Sequence, residues 1–292
     1  KQLQDISALV IIPPFNQDII DQVWDEVFPN VRWVHTFSAG VDFVAELTKR
    51  RLLNRPDILF TNGRGAFSSS LAEYIMASAM HFNKQICRLQ KNRAEKKWEK
   101  FTMSTLKGKR MGFIGYGDIA KSAAVIAKTA FGMKIAVYRR NASKFAAEEG
   151  AAIVDDICES SEDVFSSSDF VVCTLPGTVA TANFCSSQFS LMKPNAVFIS
   201  CGRGAAVDEA SLYAALCQPD GIHAALDVFA MEPLPPDSLL WTVPDDRILI
   251  SSHNADLTDD YFVLGWNIFE NNLARFLIGE GMATPVDREH GY

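Results

Sequence analysis

The sequence predicts an α/β protein with two doubly wound domains, each built from a parallel sheet and covering helices. Three observations carry this prediction. Short apolar runs alternate with stretches of helical periodicity along most of the chain. A Gly-x-Gly turn, at Gly115 and Gly117, joins one apolar run to an Ala-rich helical stretch. The 292 residues exceed the roughly 100–200 residues of an average domain, so two domains are expected.

The bulk composition excludes several classes of protein. A net charge of −7 argues against a surface that binds nucleic acid or an anionic membrane. Every apolar run is far shorter than the roughly 18 residues of a membrane-spanning helix. The six cysteines contain no C-x-x-C pair, which indicates reduced thiols and neither a metal site nor a disulfide framework. No cleavable signal is visible after Lys1, so we expect a cytoplasmic protein, or an organelle-matrix protein whose targeting segment was removed.

The first domain is predicted from three apolar runs separated by helical patterns. We expect strands at residues 8–12, 31–37 and 57–61, and helices at residues 18–28 and 41–47. An amphipathic helix at residues 259–278 follows the last strand of the chain and is expected to return to this domain. The first domain is therefore discontinuous and comprises residues 1–82 plus 260–292.

A long helical pattern is expected to connect the two domains. It opens at Ser70 and Glu73, which have the spacing of a capping box, and becomes strongly charged towards Lys100. The second domain then covers residues 83–259. Its strands are expected at residues 111–115, 134–138, 170–174, 196–200, 223–227 and 247–251, with helical patterns between most of them.

The turn at residues 115–120 predicts a dinucleotide-binding site, because it lies between a strand and a helix. Gly115 allows the tight turn, and Gly117 lets the backbone approach a pyrophosphate. Ala120 takes the third position, where a small residue lets helix and strand pack closely. The N–H groups at the start of the helix attract the pyrophosphate. The intervening residues of the predicted cofactor site are Tyr116, Asp118 and Ile119.

Three polar residues follow predicted strands at the edge of the sheet where doubly wound proteins bind their ligands. Arg203 follows the fourth strand of the second domain, Glu232 the fifth and His253 the sixth. An arginine can grip a carboxylate with two hydrogen bonds and polarise a neighbouring carbonyl. A histidine can give a proton to the carbonyl oxygen as hydride arrives, and a nearby glutamate orients and stabilises the imidazolium. Each residue alone has an ordinary structural explanation, but together they predict reduction of a 2-oxo acid by a nicotinamide cofactor.

The chain resembles the D-isomer-specific 2-hydroxyacid dehydrogenase family over nearly its full length. The order and spacing of several short segments carry this resemblance. It implies a Rossmann dinucleotide-binding domain, a smaller flavodoxin-like substrate domain, an active site in the cleft between them, and a homodimer. The segments are Ser38-Ala39-Gly40-Val41-Asp42, Leu71-Ala72-Glu73, Gly115-Tyr116-Gly117-Asp118-Ile119-Ala120, Leu175-Pro176 with Thr181, Met192-Lys193-Pro194, Gly202-Arg203-Gly204, Asp227-Val228-Phe229 with Glu232-Pro233, and His253.

The resemblance also implies roles for individual residues. Arg203 would bind the substrate carboxylate and polarise the carbonyl, while Glu232 and His253 would be the acid–base pair. The turn at residues 38–40 and the pair Asn62-Gly63 would bind the substrate carboxylate through backbone N–H groups. Asp227 would hold the nicotinamide carboxamide. The other implied cofactor contacts are Leu175, Pro176, Thr181, Cys201 and Gly202, and the implied substrate contacts are Ser38, Ala39, Gly40 and Gly63.

Two arginines bear on the choice of cofactor. An NAD site carries an acidic residue about 20 residues beyond the glycines, where it binds the ribose hydroxyls. Here that position, at the end of the second strand of the domain, is Arg139, followed by Arg140. An arginine can pair with a 2′-phosphate, and its presence removes the anion that would repel that phosphate. The sequence therefore favours NADPH over NADH, with a solvated charge run as the alternative.

Several alternatives stay open at this point. Arg64 could be a second anion contact for the substrate or a solvated loop charge. The same fold occurs in corepressors that sense dinucleotides, and these can keep the Arg, Glu and His. A formate dehydrogenase is less favoured, since that branch pairs its histidine with Gln where this chain has Glu232. We expect NADPH-dependent reduction of a small 2-oxo acid of the glyoxylate or hydroxypyruvate type.

Overall fold

The computed structural model describes residues 5–13, 16–140 and 151–289. The chain divides into two compact units, one formed by Lys1–Phe67 with Thr258–Tyr292 and the other by Ser68–Leu257. The first boundary lies between Phe67 and Ser68, not between residues 82 and 83 as predicted. The second lies two residues before the predicted position between residues 259 and 260.

The first unit contains a parallel three-stranded sheet with helices. Its elements are β1 Ala8–Ile11, α1 Gln17–Val27, β2 Trp33–Thr36, the short helical pieces Asp42–Val44, α2 Ala45–Leu47 and Thr48–Leu52, then β3 Leu59–Thr61 and, from the end of the chain, α8 Tyr261–Ile278. The described strands follow the order β1-β2-β3, without the reversal that marks a doubly wound sheet. Helix α8 covers this sheet, because the ring of Trp33 in β2 stacks on Phe269 of α8 with centroids 5.3 Å apart.

The helical stretch that follows consists of two helices, α3 (Ser68–Asn83) and α4 (Ile86–Ala94), so the prediction of one long connecting helix is wrong. The break falls at Gln85, whose φ of 52° is left-handed and cannot continue a right-handed helix. Ser70 lies buried inside α3, so it is not the predicted cap. Small residues of α3 pack against α5 (Asp118–Thr129) in the core of the second unit, which explains why the unit boundary precedes α3.

The second unit has a parallel sheet whose strand order reverses. Its remaining elements are β4 Arg110–Ile114, β5 Lys134–Tyr138, β6 Asp156–Ile157, α6 Ser161–Ser167, β7 Phe170–Cys173, β8 Val197–Ser200, α7 Glu209–Leu216, β9 His223–Leu226 and β10 Ile248–Ile250. The strand order is β10-β9-β8-β7-β4-β5-β6. The chain starts at β4, adds β5 and β6 on one side, and then returns to add β7 to β10 on the other. This is the Rossmann form of the α/β fold, and it confirms the predicted α/β class and the predicted Rossmann domain. The two-residue strand β6 was not predicted.

The register of this sheet brings the carboxyl ends of its central strands to one edge. Ile114 at the end of β4 pairs with Cys173 of β7 on one side and with Tyr138 of β5 on the other. Cys173 pairs in turn with Ser200 of β8. Because the strands are parallel, the loops that follow them emerge together at this edge. Every residue of β7 and β8 is buried, so these loops start from a closely packed core.

The described residues contain no helix that is long and apolar enough to cross a membrane. They also contain no group of three or more His, Cys, Asp or Glu residues that could hold a metal ion. All six cysteines are free thiols.

Candidate active site

The turn after β4 has the backbone shape that a dinucleotide site requires. Gly115 has a φ of 84°, which favours glycine, and its N–H donates to the Tyr138 oxygen at 3.0 Å. Gly117 caps α5, and a Cβ built on Gly117 meets no heavy atom within 4 Å. The space in front of the helix N-terminus is therefore open, and the first N–H groups of the helix lack partners inside the helix. These residues fit the pyrophosphate of a dinucleotide.

The side chains within this turn are placed less favourably than the sequence suggested. The Tyr116 ring is 6% exposed and packs edge-on against Phe113, so the side chain belongs to the core and only its backbone can face a ligand. Asp118 is exposed in the first turn of α5, where its charge stabilises the helix but opposes a pyrophosphate. Its N–H is therefore the group that suits the cofactor. Ile119 packs partly buried against the same core.

Arg139 lies directly beyond β5, beside the glycine turn. The pairing of Ile114 with Tyr138 places the residue after β5 next to Gly115 at the carboxyl edge of the sheet. Arg139 is partly buried and Arg140 is exposed. This is the position from which a side chain reaches the adenosine ribose in a Rossmann domain.

The loops after β7, β8 and β9 pack on each other through their backbones. A Cβ on Gly202 would lie 2.5 Å from the Leu175 oxygen, and one on Gly204 would lie 1.9 Å from the Phe229 carbonyl carbon. Only glycine allows such close approach. Arg203, between these two glycines, is thereby fixed among three loops, and its Nη1 donates to the Gly202 oxygen at 3.0 Å.

Of the other residues expected to contact the cofactor, one shapes its own loop and two pack against the core. Thr181 shapes the loop after β7, because its hydroxyl donates to the Pro176 oxygen at 2.5 Å and accepts from the Thr178 N–H at 3.0 Å. Leu175 packs partly buried against the core. Cys201 is only 4% exposed, and burial raises the pKa of its thiol. Its side chain therefore lies in the core, so the expected contact of Cys201 with the cofactor would fall to its backbone and stays a prediction.

The structure brings the His253 ring and the Glu232 carboxylate together as a hydrogen-bonded pair. Nδ1 of His253 lies 2.7 Å from Oε2 of Glu232, and Oε1 of Glu232 accepts from the Phe229 N–H at 2.9 Å. Both side chains are about one third exposed, at 38% and 35%, so a ligand can reach them. With Nδ1 held by the carboxylate, Nε2 is the nitrogen that can exchange a proton with a ligand. The φ of His253 is 51°, a strained value for a residue with a side chain.

Asp227 holds the loop that carries His253. The carboxylate is 1% exposed, and its Oδ1 lies 2.7 Å from the Ser251 hydroxyl, 3.0 Å from the Asn254 N–H and 3.2 Å from the Ala255 N–H. The Asp227 carbonyl accepts from the His253 N–H at 2.8 Å. The resemblance implied that this side chain holds the nicotinamide carboxamide. In the structure, its hydrogen bonds go to the loop after β10.

Two polar residues near this loop had no part in the sequence interpretation. The Tyr74 hydroxyl, from α3, lies 2.8 Å from Ser251 Oγ, and no local spacing could have linked residues so far apart in the chain. Asp256 is partly buried close to His253, and burial raises the pKa of its carboxyl, while the charges of His253 and Arg203 oppose that shift. Asp256 stands three positions after His253 in the sequence, and this short spacing could have indicated that its carboxyl lies near the histidine.

The predicted substrate-binding residues of the first unit form a turn whose carbonyls are all engaged. The Ser38 oxygen accepts from the Gly63 N–H at 3.0 Å, the Ala39 oxygen from Asn62 Nδ2 at 2.7 Å, and the Gly40 oxygen from the Ser38 hydroxyl at 3.0 Å. The Gly63 N–H therefore serves the turn itself, which corrects its expected role as a ligand donor. Gly63 is also sterically fixed, because a Cβ there would lie 2.0 Å from the Phe37 oxygen.

Asn62 is held in place by a buried polar network. Its N–H donates to the Thr284 oxygen at 3.2 Å, and the Thr284 hydroxyl donates to the Asn62 oxygen at 2.5 Å. Asn272 of α8, which is 0% exposed, accepts from the Ala283 and Thr284 N–H groups and donates to the Thr284 hydroxyl. Arg64 is exposed, and its N–H donates to Asn62 Oδ1 at 3.3 Å.

A Rossmann sheet with a glycine turn and a histidine–carboxylate pair at the same edge is the arrangement expected of a dinucleotide-dependent oxidoreductase. A model of the NAD binding domain of the D-isomer specific 2-hydroxyacid dehydrogenases matches residues 76–255. The chain belongs to this family, which confirms the family predicted from the sequence.

The relatives share most of the chain. A glyoxylate reductase of Pyrococcus furiosus is 30% identical over 299 residues, covering 99% of this chain and 84% of that protein. Glyoxylate/hydroxypyruvate reductase B of Klebsiella pneumoniae is 33% identical over 237 residues, covering 77% and 69%. A D-3-phosphoglycerate dehydrogenase of Methanocaldococcus jannaschii is 33% identical over 227 residues, covering 76% of this chain but 42% of that protein.

Solved structures resemble the whole fold. A D-isomer specific 2-hydroxyacid dehydrogenase from Xanthobacter autotrophicus Py2, in complex with NADPH and MES, has a TM-score of 0.80 at 26% identity and covers 99% of this chain and 86% of its own. An NADPH-dependent glyoxylate/hydroxypyruvate reductase from Sinorhizobium meliloti has a TM-score of 0.82 at 23% identity, with coverage of 100% and 88%. The second likeness bears on the fold alone.

Proposed function

We propose that the protein uses NADPH to reduce a small 2-oxo acid, of the glyoxylate or hydroxypyruvate type, to the D-2-hydroxy acid. One observation carries the proposal: His253 and Glu232 form a 2.7 Å pair at the sheet edge that also carries the glycine turn. The names of the Pyrococcus furiosus and Klebsiella pneumoniae relatives support the substrate class.

His253 supplies the proton of this reaction. The bound cofactor would supply hydride to the carbonyl carbon of the acid. His253 Nε2 gives a proton to the carbonyl oxygen and takes it back in the reverse direction. Glu232 keeps the proton on Nδ1, fixes the orientation of the ring and stabilises its charged form.

Arg203 in the second unit and the turn at residues 38–40 in the first unit each offer groups that suit an anion. Arg203 binds the substrate carboxylate and polarises the carbonyl with a fixed guanidinium. The turn at residues 38–40 engages its carbonyl oxygens in protein hydrogen bonds, so its N–H groups are the groups suited to a carboxylate. We assign Arg64 to the same role.

The cofactor preference rests on Arg139. A guanidinium at the end of β5 attracts a 2′-phosphate, whereas an acidic residue there would bind the ribose hydroxyls of NADH. The solved relative from Xanthobacter autotrophicus Py2 was crystallised with NADPH, which agrees with this assignment.

Initial rates test the proposal. NADPH and NADH are compared against glyoxylate, hydroxypyruvate, pyruvate and phenylpyruvate, and turnover of many equivalents of NADPH is required. We expect Arg203→Ala to lower kcat/KM by about 10²–10³-fold, as for loss of a donor to a developing oxyanion, with an unchanged Kd for NADPH. Arg93→Ala, an exposed arginine on α4, is the matched control. Binding of NADPH without turnover of any acid, as in a dinucleotide-sensing corepressor, contradicts the proposal, and so does wild-type activity in Arg203→Ala.

A further inference from the structure

A hydrogen-bond chain links helix α3 to the loop that carries His253. The Tyr74 hydroxyl lies 2.8 Å from Ser251 Oγ, and Ser251 Oγ lies 2.7 Å from Asp227 Oδ1. Tyr74 and Ser251 are both partly buried, and Asp227 is 1% exposed. The chain therefore lies at the packed base of the loop, where hydrogen bonds are poorly replaced by water.

The direction of the chain follows from the chemistry of its members. An ionised carboxylate only accepts hydrogen bonds, so the single proton of Ser251 points to Asp227. Tyr74 then donates to Ser251. Burial raises the pKa of Tyr74 to about 12, so this phenol keeps its proton at any pH at which the protein works.

The end of the chain fixes the backbone around His253. The oxygen of Asp227 that faces Ser251 also accepts from the N–H groups of Asn254 and Ala255. These residues follow His253, whose left-handed φ of 51° persists only where its surroundings hold it. The Ala255 N–H also donates to Oδ2 at 3.3 Å. A rotation of the Asp227 carboxylate would break its hydrogen bond to the Asn254 N–H and disturb both bonds to the Ala255 N–H, and the direction of the imidazole would change with them.

We propose that Tyr74 and Ser251 are positioning residues for the proton transfer: they lock the Asp227 carboxylate in the rotamer that holds His253 in its working orientation. The inference rests on the proposed role of His253 as the proton donor. It assigns a function to two side chains that act through Asp227.

Kinetics of single-hydroxyl variants test this role. We expect Ser251→Ala to lower kcat about tenfold, since small displacements of a catalytic group carry large costs. Tyr74→Phe should lower kcat about threefold, because Ser251 keeps its bond to Asp227 and one hydrogen bond is lost. KM, the Kd for NADPH and Tm should change little, and Ser251→Thr, which keeps the hydroxyl, should restore kcat. Tyr213→Phe is the matched control, because it keeps the ring that packs against the core and removes a hydroxyl that lies 3.4 Å from Thr242 Oγ1.

A double variant tests the linkage itself. If both residues act through Asp227, Tyr74→Phe has no further effect on kcat in the Ser251→Ala background. If the two residues contributed independently, their fold losses in kcat would multiply in the double variant. Multiplied losses in kcat, or losses in Tm that parallel those in kcat, overturn the proposal.

Amide hydrogen exchange provides a readout that needs no turnover. We expect faster exchange at Asn254 and Ala255 in Ser251→Ala, with unchanged exchange in Tyr213→Phe. Unchanged exchange in Ser251→Ala overturns the positioning role, and faster exchange with wild-type kcat does so as well. If the wild-type protein reduces no 2-oxo acid, the proposed function fails. The exchange rates then decide whether the hydrogen-bond chain holds the loop.

Discussion

The loop around His253 in the second unit and the turn at residues 38–40 in the first unit are built in opposite ways. The first presents ionisable side chains, His253 and Glu232, and the second presents backbone atoms. Each is fixed by one buried polar side chain. Asp227 holds the His253 loop, and Asn62 holds the turn.

Whether a carboxylate or an amide fixes each segment follows from the backbone groups that the segment directs inward. The His253 loop directs N–H groups inward, at Asn254 and Ala255, and a carboxylate satisfies several donors at once. The turn directs the Ala39 carbonyl inward and Arg64 directs an N–H, so it needs a group that donates and accepts. An amide does both. Acid and amide are therefore not interchangeable at these two positions.

The largest effect is expected for the proton donor. We expect His253→Asn to lower kcat by about 10²–10⁴-fold, the usual range for loss of a general acid. The Kd for NADPH should be unchanged. His81→Gln, a partly buried histidine of α3 outside the site, is the control measured under the same conditions. Wild-type kcat in His253→Asn would mean that the His253 side chain gives no proton. The contrast between a region that acts through side chains and one that acts through its backbone would then fail.

The cofactor side is expected to respond to a single charge. Arg139→Asp should change the ratio of kcat/KM for NADPH over NADH by about 10- to 100-fold towards NADH, the range for a charge-assisted hydrogen bond. The measurement compares both cofactors at a fixed concentration of acid. An unchanged ratio means that Arg139 is a solvated charge.

Replacing the carboxylate of Asp227 by an amide, and the amide of Asn62 by a carboxylate, tests the comparison directly. We expect Asp227→Asn to lower kcat about tenfold, because an amide cannot accept from all the donors of the loop. Asn62→Asp should raise KM for the acid about tenfold, since a carboxylate oxygen would face the Ala39 oxygen. The contrast lies in which kinetic constant changes. If both variants change the same constant, the two regions do not have separate roles.

A smaller effect concerns stability below neutral pH. His35 in β2 is 0% exposed, and burial lowers its pKa from 6.5 to about 4. The folded protein keeps it neutral while the unfolded chain takes up a proton, so the stabilisation is complete above pH 6.5 and is lost as the pH falls towards 4. The loss is about 3 kcal/mol for such a shift. Denaturant midpoints between pH 7 and 4.5 should fall less steeply for His35→Gln than for the wild type.

The sequence predicted the strands within one or two residues where apolar runs end at Gly, Pro or charged residues. It also predicted the glycine turn and the three polar residues at strand ends, since these depend on local spacing. It could not predict the break at Gln85, because a left-handed residue there leaves no mark in the apolar pattern. The burial of Tyr116 and Cys201 and the link from Tyr74 to Ser251 depend on tertiary packing between distant segments.

The open space at Gly117 has a consequence for studying this protein in cells. Its φ of −91° is available to any L-residue, and an added methyl group would meet no atom of the protein. If this turn binds the pyrophosphate as we propose, that methyl group would instead occupy the space of the pyrophosphate. A Gly117→Ala allele therefore separates presence from activity: the cell would contain the folded protein at normal abundance, unable to use its cofactor. Any phenotype that this allele rescues in a deletion strain depends on the presence of the folded protein and not on its catalytic activity.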